Sequence, residues 1–486
     1  MALLDTKKFN LAVMLIISIF IIILLDNRLS NTISSMNVDE VHTLVWGSKG
    51  LNSVPTARVG ESTRWMARIL SPIGKYYIST KMGGEHYLTG WDYAGGYYLA
   101  KHFKDTNISH DPILQDYVHI MTLLLGSLAV LSFFLVGVIL TNQISLASGI
   151  AYITLPFSSA LVWSNLTIFY TETTLIIAFN LIVATFFLPK NNLRLYLLLS
   201  FLAVFSISTK LTGVFFIIPI CYVLYNKDRA RWDYLKIEGF IFLSLVIFYL
   251  WNIPSGGGYD TWVDYMAANV YHLKTGHLNT DTTNQISRIF TLLSPWVYIY
   301  FVSLIINIMS PFRHKMYWII IAFLPLLMIL PMMDTAFMLS RNFTTPLVIM
   351  ILSISISLGI LYGKFPHHTY FKYVFFLPIV LLFYVGKSTY VEISDDVFVG
   401  AAEKCGSPAI ISMDAERYPK ALPLNAMPSI FNMREQKADF LKPFEGDAFD
   451  CVFVYGAGNN KHFTHYLLPE VYRLKERKGE YFYFSK

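Results

Sequence analysis

The stretch that decides the fold is Phe9–Leu25, "FNLAVMLIISIFIIILL". No charged residue interrupts it, Lys7 and Lys8 precede it, and Asp26 closes it. A run of this kind approaches the roughly 20 residues needed to cross a hydrocarbon core. Its basic flank resembles the n-region of a signal peptide. No small-residue cleavage site of the A-x-A kind follows, so the run reads as an uncleaved first membrane span.

The rest of the chain repeats the pattern. Of 486 residues, 55% are hydrophobic and 14% charged, where a soluble domain would carry about a quarter charged. The apolar residues come in blocks rather than in period-2 or period-3.6 patterns, which predicts an α-helical polytopic membrane protein. Eleven apolar segments are expected, at 9–26, 117–140, 144–163, 168–188, 193–208, 211–225, 237–253, 291–310, 317–333, 343–362 and 373–389. The pair 193–208 and 211–225 is short for a bilayer, and reads either as two tilted helices or as a re-entrant hairpin.

Orientation follows from lysine and arginine in the short loops. With Lys7 and Lys8 in the cytoplasm, "PKNNLR" (189–194), "NKDRARWDYLK" (226–236), "SPFRHK" (310–315) and "GKFPHHTYFK" (363–372) fall on the same side. The opposite loops, "SNLT" (164–167) and "STK" (208–210), are poor in charge. The net charge of +6 is therefore a topology signal and gives no reason to expect nucleic acid as a partner. Three long segments lie outside: 27–116, 254–290 and 390–486.

The first outer segment holds amphipathic stretches such as "RWMARILSPIGKYY" (64–77), suited to a membrane interface. The last has strand-like runs, "PAIISM" (408–413), "DCVFVYG" (450–456) and "EYFYFSK" (480–486), with a helix-like stretch, "HFTHYLLPEVYRLKERKG" (462–479), before the third. It reads as a small α/β domain over 390–486, tethered to a transmembrane domain over 1–389 that includes the loop 27–116. If that tail faces an oxidising compartment, Cys405 and Cys451 are able to pair, a point the sequence leaves open. No Cys/His ligand spacing and no P-loop is present, so neither a metal nor a cofactor is expected.

The chemistry-bearing residues sit at the outer ends of spans. "VDEVHT" (38–43) places Asp39 and Glu40 side by side just beyond the first span, with His42 near them. Sugar transfer to a hydroxyl needs a base, and a carboxylate beside lipid and a second carboxylate has its proton affinity raised. A solvated loop is the plainer reading of the same residues. Glu172, in "FYTETTLIIAF" (169–179), is an acid within a span, where acids are costly and tend to be functional. It is a candidate supporting residue, as is His42, and pairing with Lys210 is its plainer explanation. Asp260, Asp264, His272 and His277 fall in the glycine-rich stretch 253–277, best read as a solvated loop.

"DEVH", opening a long external loop after a first span, resembles the first-loop acidic motif of the GT-C glycosyltransferases. Its wording is closest to the protein O-mannosyltransferases. The layout of spans, interfacial loop and external tail resembles the same superfamily. That resemblance implies a sugar donor on a polyprenyl phosphate and chemistry at the outer face. It implies Asp39 and Glu40 as catalytic residues. "ISTKLTGVFFIIPI" (207–220) resembles the family's lysine-containing turn, and "LSRNFTTPLVIM" (339–350) its Arg-x-x-x-x-Pro start of a late span. These imply Lys210 and Arg341 as donor-phosphate ligands, arginine being suited to fork onto a pair of phosphate oxygens.

Within the superfamily the chain looks most like the phage-type serotype-converting O-antigen glucosyltransferases. This implies undecaprenyl-phosphate glucose as donor and O-antigen polysaccharide as acceptor at the bacterial inner membrane. The aromatic-Pro-Pro signature of the aminoarabinose and mannose transferases is missing, which argues against lipid A as acceptor. Two other classes stay open: an O-antigen polymerase or ligase, and a non-catalytic lipid or solute translocator.

Reporter fusions after residues 110 and 400 are expected to show periplasmic activity at both positions. A cytoplasmic signal at either would overturn the orientation.

Overall fold

The computed structural model describes residues 2–31, 35–36, 61–81, 112–188, 193–227, 239–244, 246, 285–333, 340–364, 405, 408–412, 418–419, 430–432, 450–455, 471–478 and 481–486. Asp39, Glu40, His42, the glycine-rich loop and the segment 373–389 lie outside them. The chain forms two compact units. One comprises Met1–Asn27, Leu51–Met66 and Thr122–Thr389, and the other Arg28–Gly50, Ala67–Met121 and Tyr390–Lys486.

The first unit is helical. The apolar run that opens the sequence lies in α1 (Ala2–Asn31). Its Phe9, Ile16 and Ile23 are more than half exposed, as a lipid-facing stripe requires, while Met14, Ile21 and Leu25 are buried. The next helices along the chain are α2 (Glu61–Lys81), which belongs to the second unit from Ala67, α3 (Pro112–Gln143), which belongs to it up to Met121, α4 (Leu146–Thr154), α5 (Ala160–Leu166), α6 (Thr171–Thr185), α7 (Leu193–Thr209) and α8 (Ile217–Lys227). The last four are α9 (Gln285–Leu293), α10 (Trp296–Met309), α11 (Lys315–Met333) and α12 (Thr344–Lys364). Among the described residues, Lys8–Leu29, Tyr117–Gln143 and Thr344–Lys364 are long and apolar enough to cross a membrane unbroken.

Several expected spans are shorter or interrupted, and the sequence shows why. The segment 144–163 bends by 79° between Leu146–Ser158 and Ala160–Leu166. Pro156 starts a 3-10 turn over Leu155–Ser158, and Ser159 is extended. Trp163 Nε1 donates to the Phe157 carbonyl and fastens the corner. The segment 291–310 is split by Ser294–Pro295 into α9 and α10. The pair 193–208 and 211–225 is two helices, α7 and α8, separated by Lys210 and a 3-10 turn over Leu211–Phe216. Gly213 is needed there: a Cβ would strike the Ser206 carbonyl of α7, so only glycine lets the chain fold back so closely.

Helix α12 is the centre of this unit, with nearly every side chain from Thr344 to Ile360 buried. It packs on α4, α5, α6, α10 and α11. Gly359 gives the close approach to α4, since a Cβ would run into Ser148. Between α10 and α12, Asn307 Nδ2 donates to Ser353 Oγ at 3.0 Å, and Ser357 Oγ to Asn307 Oδ1 at 2.8 Å. Between α4, α6 and α3, Tyr152 donates to Asn180 Oδ1 at 2.6 Å and Asn180 Nδ2 to Ser132 Oγ at 2.8 Å. In apolar surroundings such bonds join helices that gain little from hydrophobic contact with one another.

The second unit carries the tail. Its five-stranded sheet has the order β4-β2-β5-β7-β6, with β2 Pro408–Ser412, β4 Ile430–Asn432, β5 Cys451–Tyr455, β6 Arg473–Lys478 and β7 Tyr481–Ser485. Strand β2 is parallel to both β4 and β5, while β7 is antiparallel to β5 and β6. The three expected strand runs are β2, β5 and β7. The helix-like stretch 462–479 is corrected in its last part, which forms strand β6. Pro469 cuts its helical pattern, and only Gly479 and Glu480 separate β6 from β7, a spacing that favours a hairpin. Among the described strands β6 is an edge, and its Arg473 and Lys475 are exposed, which blunts pairing with another chain. A short ladder joins β1 (Ser35–Met36) of the segment 27–116 to β3 (Tyr418–Pro419) of the tail. In the same unit, Tyr117 of α3 donates to Ser71 of α2 at 3.3 Å.

Cys405 and Cys451 are joined in a disulfide. It fastens the chain just before β2 to the first residue of β5. The bridge spans 46 positions, for which chain entropy gives about 4 kcal/mol. Cys405→Ser is therefore expected to speed protease cleavage within 400–486 markedly while leaving cleavage in the helical unit unchanged. Equal tail lifetimes would show that the bridge contributes nothing.

Candidate functional site

Four helix ends meet at one place in the helical unit. The first is the start of α6. Thr173 Oγ1 donates back to the Asn165 carbonyl at 2.8 Å and so closes the turn between α5 and α6. This sets Glu172 in the first turn of α6 with 1% of its surface exposed. Backbone N–H groups at a helix start favour negative charge, which suits a carboxylate there.

The second is the break after α7. Its last turn closes with the Lys210 N–H on the Ser206 carbonyl, and Lys210 itself is extended, with φ −161° and ψ 146°. The Lys210 ammonium donates to Glu172 Oε1 and, at 2.6 Å, to Asn342 Oδ1. The third end is the 3-10 turn Ser340–Phe343, which leads into α12 and carries Arg341 and Asn342. The start of α12 is tied to α5 by Asn165 Nδ2, which donates to Thr344 Oγ1 at 2.7 Å. Next to it, Thr345 Oγ1 is buried with no hydrogen-bond partner among the described residues. The fourth end is the start of α2: Ser62 Oγ donates to the Phe205 carbonyl of α7 at 2.7 Å, and Trp65 packs on Phe201 and Phe205.

The burial decides the electrostatics. A carboxylate with 1% exposure is costly unless paired, and the Lys210 ammonium is its partner. Lys210 is 23% exposed, so the pair has one wet side. Glu172 and Lys210 carry opposite charges, and Arg341 lies in the turn whose Asn342 the same ammonium bonds.

Of the residues singled out in the sequence, Glu172 and Lys210 are brought into direct contact. Arg341 stands beside Asn342 on the turn that Lys210 bonds. The plainer reading of Glu172, a partner for Lys210, is realised. Asp39, Glu40 and His42 lie outside the described residues; β1, which pairs with the tail, ends three positions before Asp39. Asn342, Asn165, Thr344 and Thr345 were missed. The signal available was the polar run "SRNFTT" (340–345) at the start of a span, of which only the arginine was read.

At the far ends of the same helices, Lys364 of α12 donates to Ser310 Oγ at 3.2 Å. There also Phe186, just past α6, stacks on Tyr317 of α11 with ring centroids 4.0 Å apart.

No protein-family model and no curated protein matches the chain. Two solved structures do, both of ArnT from Cupriavidus metallidurans. The form bound to undecaprenyl phosphate has a TM-score of 0.56 at 9% identity, covering 98% of this chain and 97% of that one. The apo form has a TM-score of 0.56 at 9% identity, covering 100% and 98%. The likeness runs the whole length of the chain and establishes a shared fold.

Replacing Lys210 by Met would leave the Glu172 charge buried without its ammonium. With Glu172 1% and Lys210 23% exposed, the cost is about 3 kcal/mol. Lys210→Met is expected to lower the melting temperature in detergent by several degrees, and Lys210→Met with Glu172→Gln to recover most of the loss. If the double variant melts no higher than the single, the two charges are not energetically coupled.

Proposed function

We propose that the protein is a GT-C type glycosyltransferase that takes its sugar from a polyprenyl phosphate. In its finer form the reading is transfer of glucose from undecaprenyl phosphate to O-antigen polysaccharide at the periplasmic face of the bacterial inner membrane, as in the phage-type serotype-converting enzymes. One observation carries it. Glu172, Lys210 and the Arg341 turn meet at one end of a helical membrane fold, and a protein with that fold binds undecaprenyl phosphate.

The chemistry follows from the residues. Asp39 or Glu40 takes the proton from an acceptor hydroxyl, and the oxygen forms a bond to the anomeric carbon from the side opposite the phosphate. The bond between that carbon and the phosphate oxygen breaks, and the electron pair leaves with polyprenyl phosphate. The anomeric centre inverts. Charge builds on the phosphate as it departs, and a preorganised cation there lowers the barrier. Arg341, with Lys210 beside it, is proposed for that role. Glu172 already shares the Lys210 charge, so the larger part of the contact falls to Arg341. Two or three donors on a planar guanidinium suit a phosphate better than one ammonium.

The tail is proposed to hold the acceptor polysaccharide. The ladder between β1 and β3 supports a shared side for the first outer segment and the tail, since paired strands cannot lie across a bilayer from each other. The disulfide supports an oxidising compartment for that side.

Membranes containing the protein, given radiolabelled undecaprenyl-phosphate glucose and O-antigen, should place label in the polysaccharide. Loss of a general base costs about 10²–10⁴ in rate, so Asp39→Asn or Glu40→Gln should remove most of the label at normal protein levels. Arg341→Lys should weaken donor use with protein levels unchanged. Polysaccharide that lengthens or changes carrier without label would point to a polymerase or ligase, and no covalent change to a translocator. Full transfer by both neutral variants would reduce the acidic pair to a solvated loop.

A further inference from the structure

Asn342 stands where a positioning residue is needed. The 3-10 turn Ser340–Phe343 is four residues long, and hydrogen bonding in such turns is weak, so its orientation must come from outside it. Two contacts supply this. Phe343 is buried at 1% exposure, which fixes depth. Asn342 Oδ1 accepts from the Lys210 ammonium at 2.6 Å, a charge-assisted bond that fixes direction. Lys210 is itself set by the extended backbone that ends α7 and by Glu172, whose place is set by the first turn of α6. The tie therefore runs from α6 through the α7 break to the turn, across sequence separations of 38 and 132 residues.

We propose that Asn342 is the positioning residue for Arg341: through Lys210 and Glu172 it holds the turn on which Arg341 sits. The importance of that position for a phosphate rests on the function proposed above. The amide suits the task better than an acid would. Lys210 already bonds one carboxylate, and a second on the same ammonium would add negative charge next to the turn that carries Arg341. A neutral carbonyl oxygen accepts the bond without adding that charge. An apolar side chain at this position would release the turn and take a bond from Lys210 at once.

The test reads the turn and the phosphate separately. In a Cys221→Ser background, Arg341→Cys is labelled with a small neutral maleimide, with Asn342, Asn342→Leu or Asn342→Asp beside it. Asn342→Leu is expected to change the labelling rate at least about fivefold, and Asn342→Asp, which keeps the acceptor, to stay within about twofold. In the full chain with Arg341 intact, Asn342→Leu should weaken binding of undecaprenyl phosphate about tenfold, the scale of one hydrogen bond to a charged group, with little change in kcat. Asn342→Asp should weaken binding through charge while leaving the labelling rate alone. Identical labelling rates for Asn342 and Asn342→Leu would overturn the inference whatever the lipid does. Failure of the unaltered protein to bind undecaprenyl phosphate would overturn the functional reading, with the labelling rates still deciding the role of Asn342.

Discussion

One buried carboxylate organises one end of the helical unit. Glu172 has 1% of its surface exposed in a chain of which only 14% is charged. Leaving such a charge without its partner costs about 3 kcal/mol, a large share of a domain's stability, so the fold is under pressure to bring it one. The partner is Lys210, and Lys210 stands where α7 stops. From that requirement the rest follows. The chain has to break at Lys210, α7 has to end level with the start of α6, and the turn before α12 has to come within reach of the same ammonium. The three segments are held in register by one polar group more than by their apolar faces, which are interchangeable in lipid.

The same logic sets how the bundle is assembled away from that end. Leucine and isoleucine pack on lipid tails about as well as on one another, so close approach and internal hydrogen bonds decide which helices pair. Gly359 against Ser148, and Asn307 with Ser353 and Ser357, fix α12 between α4 and α10. Asn180 joins α6 to α3 and α4. A central helix with polar ties on several sides is a rigid platform. Its first turn lies next to Arg341 and Asn342, so that stiffness reaches the residue proposed to bind phosphate and the one proposed to position it.

The tail solves a different problem by different means. A small sheet with short strands has little apolar area to bury. Its order combines a parallel core, β4-β2-β5, with an antiparallel hairpin, β7-β6, and a disulfide at the start of β5 adds a constraint on the unfolded chain. The outer edge is charged. These are features of a unit built to stand in water, in contrast to the exposed apolar stripe of α1.

Much of this was legible in the residues alone. Blocks of apolar sequence without short-period alternation determine a helical membrane protein, and the runs at 408–412, 451–455 and 481–485 are strands because β-branched and aromatic residues fill them. Glu172 and Lys210 stood out as costly charges at span ends, and their cost made pairing a physical expectation. What the sequence could not supply was the third partner and the true ends of the helices. Asn342 is a neutral residue with no pattern of its own, and it acquires a role only because a lysine 132 residues earlier arrives beside it. The 79° corner at Ser159 and the strand at 473–478 were likewise hidden. Local propensity leaves both conformations within about 1 kcal/mol per residue, and contacts from distant segments made the choice.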